Sequence, residues 1–512
     1  MSRVVCLLTA GLGVRMGRYA ELTNKSLLPV RGKAIISHII DQFPNDTEFI
    51  VSIGYKHDAV QTYLSWAHPH RRFVYVPVDN YAGPGSGPAY SVRQCAADIA
   101  NREFTLIVCD GYYDCLTSLP QGQNAVGVAR VSPALHSTYC NVEITNGRVT
   151  AFYDKQAGPA TAHTLCGVYQ IADPTTFFSA LTTPELSSGL AALSLTATEL
   201  QWRDLGTEAH YDKFLQEQFG DTAFDYSKTD ELLYTVAVPN EPSRVIKYFK
   251  DSAITEHRVL RAQGRNYFPV IQAHHAGFYW YPFVAGHTLY TRGHFDTFVR
   301  LLDWMESVVW PSCPSDVQLT TDDCCAFYYT KTHARIDQFY RKYPNYTSVE
   351  INGQSVTESI EHALQKLPWP ALCQQELSQR TAFIHGDFQF DNILLTEDNK
   401  FLLLDWRQDF AGHLWHGDKY YDIAKLKAGL LLNHDLIKRN TFVFESVNGI
   451  VRYDYPVRQS HAGYVTELTR RYPDPLIDEI VTLIFLNMAP LHKPPYDQLL
   501  FNLAWRRLLQ HT

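Results

Sequence analysis

The segment His385-Gly386-Asp387-Phe388-Gln389-Phe390-Asp391-Asn392-Ile393-Leu394 places an asparagine five residues after an aspartate. Thirteen residues beyond Asn392, after the apolar run Phe401 to Leu404, comes Asp405. These types and spacings suit phosphoryl transfer. Asp387 on a loop would orient or deprotonate an acceptor hydroxyl. Asn392 and Asp405, joined by an intervening strand, would hold Mg²⁺ on the phosphates of ATP.

A second set lies near the N-terminus. Leu8 to Gly17 reads LTAGLGVRMG and follows a short apolar run, Val4 to Ala10. A loop at the carboxyl end of a strand is where open α/β sheets bind ligands. Gly11 and Gly13 let backbone N–H groups approach phosphate oxygens, and Arg15 adds a fork of donors. The loop is neither a dinucleotide fingerprint nor a Walker A loop, because the last glycine is misplaced and no GK[ST] follows. Asn24-Lys25-Ser26-Leu27-Leu28-Pro29-Val30 and Gly32-Lys33 then lead into a helix. Asp110 ends the apolar strand Phe104 to Cys109, and Asp204 lies in Trp202-Arg203-Asp204-Leu205-Gly206-Thr207. Two carboxylates on separate strands suit one or two Mg²⁺ ions at an α-phosphate. Asn80 to Pro88, with Gly85 and Ser86, is a second glycine-rich turn opening a helix, and Lys155 follows a hairpin.

The elements that position these residues follow from hydrophobic period. Through residue 220 strand-like and helix-like segments alternate, which predicts a mostly parallel sheet with helices on both faces. Asn146-Gly147 marks a hairpin. With the strand around Val168 it is expected to form a smaller layer beside the main sheet. From Leu232 to Phe283 paired strands enclose one helix, and after His294 the chain is mainly helical. A second hairpin signal is Asn448-Gly449. The expected division is an α/β, Rossmann-like domain over 1–222 and an α+β, two-lobed domain over 223–512. The small lobe spans about 223–290 and the large lobe about 291–512. There is no internal repeat and no low-complexity linker.

Composition sets outer bounds. With 512 residues, 46% hydrophobic and 19% charged, the chain has ample core material and is not a self-repelling disordered polymer. A formal net charge of −8 argues against a general nucleic-acid binder. No apolar run predicts a membrane span, and the N-terminus reads as a buried strand rather than a leader. Ten cysteines without metal spacing are expected to be reduced thiols, as in a cytoplasmic protein.

The combination AGxGxRM followed by KxLLPVxGK resembles sugar-phosphate and choline-phosphate nucleotidyltransferases over about residues 1–220. The resemblance implies that Ala10, Gly11, Gly13 and Arg15 hold the NTP triphosphate. Lys25 would contact phosphate at the reacting centre, Gly85 and Ser86 the base, and Asp110 and Asp204 the metal. Asn24 stands where the family usually has proline, as in the choline-phosphate branch. The HGDxxxxNxL segment is similar to the choline kinase and aminoglycoside phosphotransferase superfamily, relatives of protein kinases. By that resemblance Lys247 in Val245 to Phe249 pairs with Glu256 and binds ATP phosphates, and Tyr281 and Phe283 line the adenine hinge. Asp422 and His385 brace the catalytic loop. Trp406, Trp415, Tyr420 and Tyr421 are candidates for an aromatic cage around a quaternary ammonium group.

The expected activity is consecutive. A small alcohol is phosphorylated with ATP, and the phosphate ester then attacks an NTP, expected to be CTP, releasing pyrophosphate. Choline is the first expected acceptor, for decoration of a surface glycan or lipid. A sugar or polyol kinase fused to a sugar-phosphate nucleotidyltransferase is the alternative, and a non-catalytic nucleotide-binding half is another. Mg²⁺ is expected at both sites. The partners are the alcohol, its phosphate ester and nucleoside triphosphates, with no nucleic acid and no membrane insertion. The acceptor, the base and the oligomeric state stay open.

Overall fold

A computed structural model describes residues 3–156, 158–219 and 230–511. The chain forms two compact units. The first comprises Met1–Gln218, Asp230–Ser252 and Ala273–Phe283; the second comprises Ala253–Gln272 and Val284–Thr512.

The first unit is organised by a nine-stranded sheet. Its strands are β1 (Val4–Leu8), β2 (Glu48–Ile53), β3 (Arg72–Pro77), β4 (Phe104–Val108), β5 (Ala125–Ala129), β6 (Cys140–Thr145), β7 (Arg148–Asp154), β8 (His163–Ile171) and β9 (Thr196–Glu199). The order is β3-β2-β1-β4-β8-β5-β9-β7-β6. Strands β3, β2, β1 and β4 are parallel, as strand–helix alternation predicts. Beyond β4 the sheet is mixed, since β8 runs antiparallel to both β4 and β5. The Asn146-Gly147 turn does join a hairpin, β6–β7. The separate layer expected there does not exist: β8 lies inside the main sheet and the hairpin closes its edge. Sequence period marks a strand but does not say which strand it will pair with.

Alternation in β1 divides the core. Val5 and Leu7 face one apolar cluster, with Ile35, Ile36, Ile39 and Ile40 of α1 (Ile35–Ile40) and Val60, Tyr63 and Leu64 of α2 (His57–Ala67). Val4, Cys6 and Leu8 face the other, with Ala89 and Val92 of α3 (Pro88–Gln94). Helix α4 (Glu208–Phe219) follows the Asp204 segment.

The same unit contains a four-stranded antiparallel sheet. Its strands are β10 (Glu231–Val236), β11 (Arg244–Phe249), β12 (Ala273–His275) and β13 (Phe278–Pro282), in the order β10-β11-β13-β12. Leu232, Tyr234, Val236, Ile246, Tyr248 and Phe278 pack in the same cluster as α1 and α2. Because Ile246 and Tyr248 face that cluster, alternation turns Lys247 to the opposite face.

The second unit is mainly helical. It contains α5 (Ser252–Ala262) from Ala253 onward, α6 (Thr321–Cys324) and α7 (Lys419–Leu431). Strands β14 (Ile393–Thr396) and β15 (Phe401–Leu403) form the hairpin around which the HGD segment is built. The Asn448-Gly449 turn joins strands Val443–Val447 and Ile450–Asp454. Among the described residues no helix is long and apolar enough to cross a membrane.

Candidate active sites

The first site is a cavity of 670 Å³ at the carboxyl ends of β1 and β4. Ala10, Gly11, Gly13, Arg15, Lys25, Ser86, Asp110 and Asp204 line it. Gly85 does not line it; it turns the preceding loop at φ 81°. Ser86 closes that loop, its hydroxyl donating to Gly83 O at 2.7 Å. Lys155 also lines the cavity and is paired with Glu185.

Lys25 and Asp110 form an ion pair, Nζ to Oδ2, at 2.8 Å. Burial pushes the Asp110 carboxyl up, but the Lys25 ammonium and the Arg15 guanidinium outweigh it and hold the group below its usual range. The lysine is placed by Asn24, which is fully buried. Asn24 Nδ2 donates to Thr9 O and Tyr55 O, each at 2.8 Å, and its Oδ1 accepts the Ser26 N–H at 3.0 Å. Asn24 therefore shapes the lysine turn through the backbone of β1's loop. Gly13, at φ 67°, lies against the Lys25 stem, where a Cβ would sit 3.6 Å from Lys25 Cβ.

Asp204 comes from the strand Trp202–Asp204, which pairs with Gly111–Tyr113 just after Asp110. Leu205 N donates to Asp110 O at 2.9 Å. The two carboxylates meet around Gly206. A Cβ on that glycine would lie 3.0 Å from Asp204 Oδ1, 3.2 Å from Asp110 Oδ2 and 3.4 Å from Arg15 Nη2. Asp204 Oδ2 accepts from Tyr139 OH at 2.7 Å and contacts His210 Nδ1 at 2.8 Å. Sequence reasoning missed Tyr139, Gly206 and His210. His210 had a local signal, standing in the first turn of the helix after Asp204. Two carboxylate groups with hard oxygen donors, beside two cations, fit a divalent metal and a polyphosphate together.

The second site is built on the β14–β15 hairpin. Asn392 immediately precedes β14 and Asp405 follows β15, so pairing of Ile393 with Leu403 brings both to one end. Leu404 N donates to Asn392 O at 2.8 Å. Asn392 Nδ2 donates to Asp387 O at 2.8 Å and to Asp387 Oδ2 at 3.2 Å. Asp387 Oδ1 is 2.7 Å from Lys425 Nζ on α7. Asp405 takes φ 58°, and its Oδ1 is 3.9 Å from Arg258 Nη1. Lys425 and Arg258 carried no sequence motif, and only the packing of α7 and α5 reveals them.

His385 and Asp422 fix the backbone of this loop. Asp422 accepts the His385 N–H at 2.8 Å, the Gly386 N–H at 2.7 Å and Trp310 Nε1–H at 3.3 Å. Burial raises its pKa to about 6. Burial lowers that of His385 to about 4, so the ring is neutral at pH 7. Its Nδ1 accepts the Asp387 N–H at 3.2 Å, leaving Nε2–H to donate to Leu404 O at 2.8 Å. Gly386, at φ 84°, leaves no room for a side chain, since a Cβ would sit 2.5 Å from Arg407 Cβ.

The residues expected to bind ATP are divided between the units. Lys247 is buried on β11, Tyr281 is buried on β13, and Phe283 follows that strand and is exposed. Glu256 lies on α5 of the second unit and is exposed.

The four rings expected to form a cage are engaged by the protein itself. Trp406 is fully buried against Phe268, with centroids 4.4 Å apart, and its Nε1–H donates to Arg258 O. Trp415 carries Arg265 and Tyr420 carries Arg380, each guanidinium 5.1 Å from its ring. Tyr421 packs edge-on to Phe327. The Phe327 face is taken by Lys331 Nζ at 3.6 Å.

Residues 5–114 match the family of MobA-like NTP transferase domains, and residues 244–429 match the phosphotransferase enzyme family. The chain thus joins an NTP transferase region to a phosphotransferase region. No curated protein matches it. Among solved structures, it is similar to a UDP-glucose pyrophosphorylase in complex with UDP-glucose, at 15% identity and TM-score 0.36, over 42% of this chain and 100% of that one. It is also similar to the CTP:phosphocholine cytidylyltransferase of Streptococcus pneumoniae, at 20% identity and TM-score 0.34, over 43% and 100%. A third is the inositol-1-phosphate CTP transferase of T. maritima, at 14% identity and TM-score 0.35, over 42% and 94%.

Proposed function

We propose that the chain is a bifunctional enzyme that phosphorylates a small alcohol with ATP and then transfers a nucleoside monophosphate from an NTP onto the phosphate ester. The observation that carries the reading is the presence of two separate constellations, Lys25–Asp110–Asp204 and Asp387–Asn392–Asp405, each matched to its own chemistry.

In the first, Arg15 and the backbone of Gly11 to Gly13 bind the triphosphate. Lys25 neutralises charge at the α-phosphate, while Tyr139 and His210 hold Asp204 in place. Asp110 and Asp204 would hold Mg²⁺, which supplies further neutralisation of the phosphates. The attacking phosphate ester is already an anion, so positioning and charge neutralisation carry the catalysis. In the second, Asp387 accepts or orients the acceptor hydroxyl proton, and Lys425 fixes its carboxylate. Asn392 and Asp405 would hold Mg²⁺ on ATP. Lys247, Tyr281 and Phe283 are assigned to the nucleotide. The compartment we assign is the cytoplasm.

For the acceptor, the surroundings of Asp387 favour a sugar or polyol over choline. The aromatic rings that a quaternary ammonium would need already pack against the protein's own residues or carry its cations. Lys425 stands beside Asp387, and Lys331 has three cations, Arg407, Arg335 and Lys425, against one carboxylate, Asp409, as charged neighbours. A cationic neighbourhood repels a trimethylammonium group and accepts hydroxyls. CTP is assigned as the nucleotide on the sequence resemblance alone.

The test is incubation with ATP, each NTP and a panel of sugars, polyols and choline, with mass spectrometry of products. Asp387→Asn should abolish ATP-dependent phosphorylation and keep nucleotidyl transfer from a supplied phosphate ester; Asp110→Asn should do the reverse. Loss of both activities from either change would refute two independent sites. Choline turnover exceeding that of every polyol would restore the choline reading.

A further inference from the structure

The second unit holds a cluster that neither reaction uses. Asp323, His413 and His416 each present one ligand atom, and these atoms lie within 4.8 Å of one another. We propose that they form a site for Zn²⁺, separate from the magnesium sites, with solvent as the fourth ligand.

Each residue is held on a rigid support. Asp323 is in the first turn of α6 and closes a capping box. Its Oδ2 accepts the Thr320 N–H at 2.9 Å, and the Thr320 hydroxyl accepts the Asp323 N–H at 3.2 Å. This leaves Oδ1 to face His413 Nε2 at 2.7 Å. His413 is fixed by a tight turn: Phe410 and His413 exchange backbone hydrogen bonds at 3.0 and 2.9 Å, around Ala411 at φ 51° and Gly412 at φ 89°. His416 precedes Gly417, which pairs with Ala382. The two imidazoles lie with centroids 4.3 Å apart.

The independent sign of a ligand is His416. It is 8% exposed, and its Nε2 is buried with no hydrogen-bond partner among the described residues. A buried ring nitrogen without a partner is costly unless something binds there. Two imidazoles and one carboxylate are a borderline donor set that suits Zn²⁺ and leaves a fourth position open. The hard oxygen and amide groups of Asn392 and Asp405 instead suit Mg²⁺. Sequence spacing hid the site because Asp323 lies ninety residues before His413.

The ion would exchange the His413–Asp323 hydrogen bond for two bonds to metal. It would tie α6 to the segment between Asp405 and α7, the helix that carries Asp422 and Lys425. Its role is to clamp the segment that follows Asp405, with no part in the bond-making steps.

The test uses the full chain, stripped with a chelator and dialysed against Zn²⁺ in excess Mg²⁺, with metal content measured by elemental analysis. Expected is one equivalent of Zn²⁺ per chain, and a visible absorption band of four-coordinate Co²⁺ when Co²⁺ replaces it. His416→Ala and His413→Gln should each lose the equivalent and the band, while Asp405→Asn keeps both. Circular dichroism checks folding; His413, the more exposed of the two, decides the matter if His416→Ala does not fold. No Zn²⁺ uptake by the wild-type chain, or unchanged uptake by folded His413→Gln, overturns the proposal.

Discussion

The hydroxyl of Tyr234 donates to the carbonyl of Leu27 at 2.7 Å, two residues after Lys25. Tyr234 belongs to β10, in the sheet that also carries Lys247, and Leu27 belongs to the turn that presents Lys25 to the nucleotidyl-transfer cavity. A second bond, Tyr248 OH to Leu22 O at 3.0 Å, anchors the other side of that turn. The turn is thus held from outside the nine-stranded sheet.

Tyr234→Phe keeps the ring, which packs 4.7 Å from Tyr63, and removes the donor. The Leu27 carbonyl then loses a buried partner, at a cost of about 1–3 kcal/mol. Urea denaturation should show that loss. Nucleotidyl transfer should also weaken through a raised KM for the NTP, because Lys25 rides on the freed turn. Unchanged stability and unchanged KM would show the bond to be idle.

A fragment ending at 222, where the pattern break suggested a boundary, should be poorly stable. It lacks Tyr234, Ile246, Tyr248 and Phe278, whose burial is worth about 1.5–3 kcal/mol per side chain. It also uncovers Trp66, whose carbonyl receives Arg244 Nη1 at 2.9 Å and whose ring meets Phe278. Binding of a hydrophobic dye and a lowered urea midpoint, relative to the full chain, are the expected results. A fragment that binds no dye and unfolds at the full chain's midpoint would contradict this.

Local spacing made the motif residues legible, and tertiary partners were not. Asp387, Asn392 and Asp405 stand out because one hairpin sets their separation. Gly11, Gly13, Arg15 and Lys25 stand out because one loop and one turn do. Lys425, Arg258, Tyr139 and His210 reach the same two sites from other elements, and no local pattern encodes that arrival. The strand around Val168 was recognised as a strand but misplaced, since its neighbours β4 and β5 are chosen by packing. The aromatic residues near Asp405 were read as a cage from composition, whereas Trp406 is core and Trp415 and Tyr420 each carry an arginine.

Gly206→Ala tests the convergence of the two carboxylates. The new methyl group would press on Asp204 Oδ1, Asp110 Oδ2 and Arg15 at 3.0–3.4 Å, so these groups must part by a few tenths of an ångström. A misplacement of about 1 Å can cost about 100-fold in rate, so a few tenths of an ångström should cost roughly 3- to 10-fold. Nucleotidyl transfer should fall by that amount, with phosphorylation of the alcohol and thermal stability unchanged. Full retention of nucleotidyl transfer would place the reacting centre elsewhere.

His385 and Asp422 should give the second unit opposing responses to acid. The Asp422 carboxyl has a pKa near 6 when folded against 3.8 ordinarily, so between these values the folded chain holds the extra proton. Its contribution to stability is greatest below pH 4 and is lost as pH rises through 6. The His385 ring has a pKa near 4 when folded against 6.5, so between these values the unfolded chain holds the extra proton. Its contribution is present above pH 6.5 and is lost as pH falls toward 4. Each shift amounts to about 3 kcal/mol at 1.36 kcal/mol per unit, and the two slopes cancel over most of their range. Asp422→Asn removes only the first. Measured by urea denaturation between pH 6 and pH 4, the variant should lose about 2 kcal/mol relative to wild type. Parallel profiles for the two proteins would mean that Asp422 is ionised throughout this window, held so by the N–H groups of His385 and Gly386.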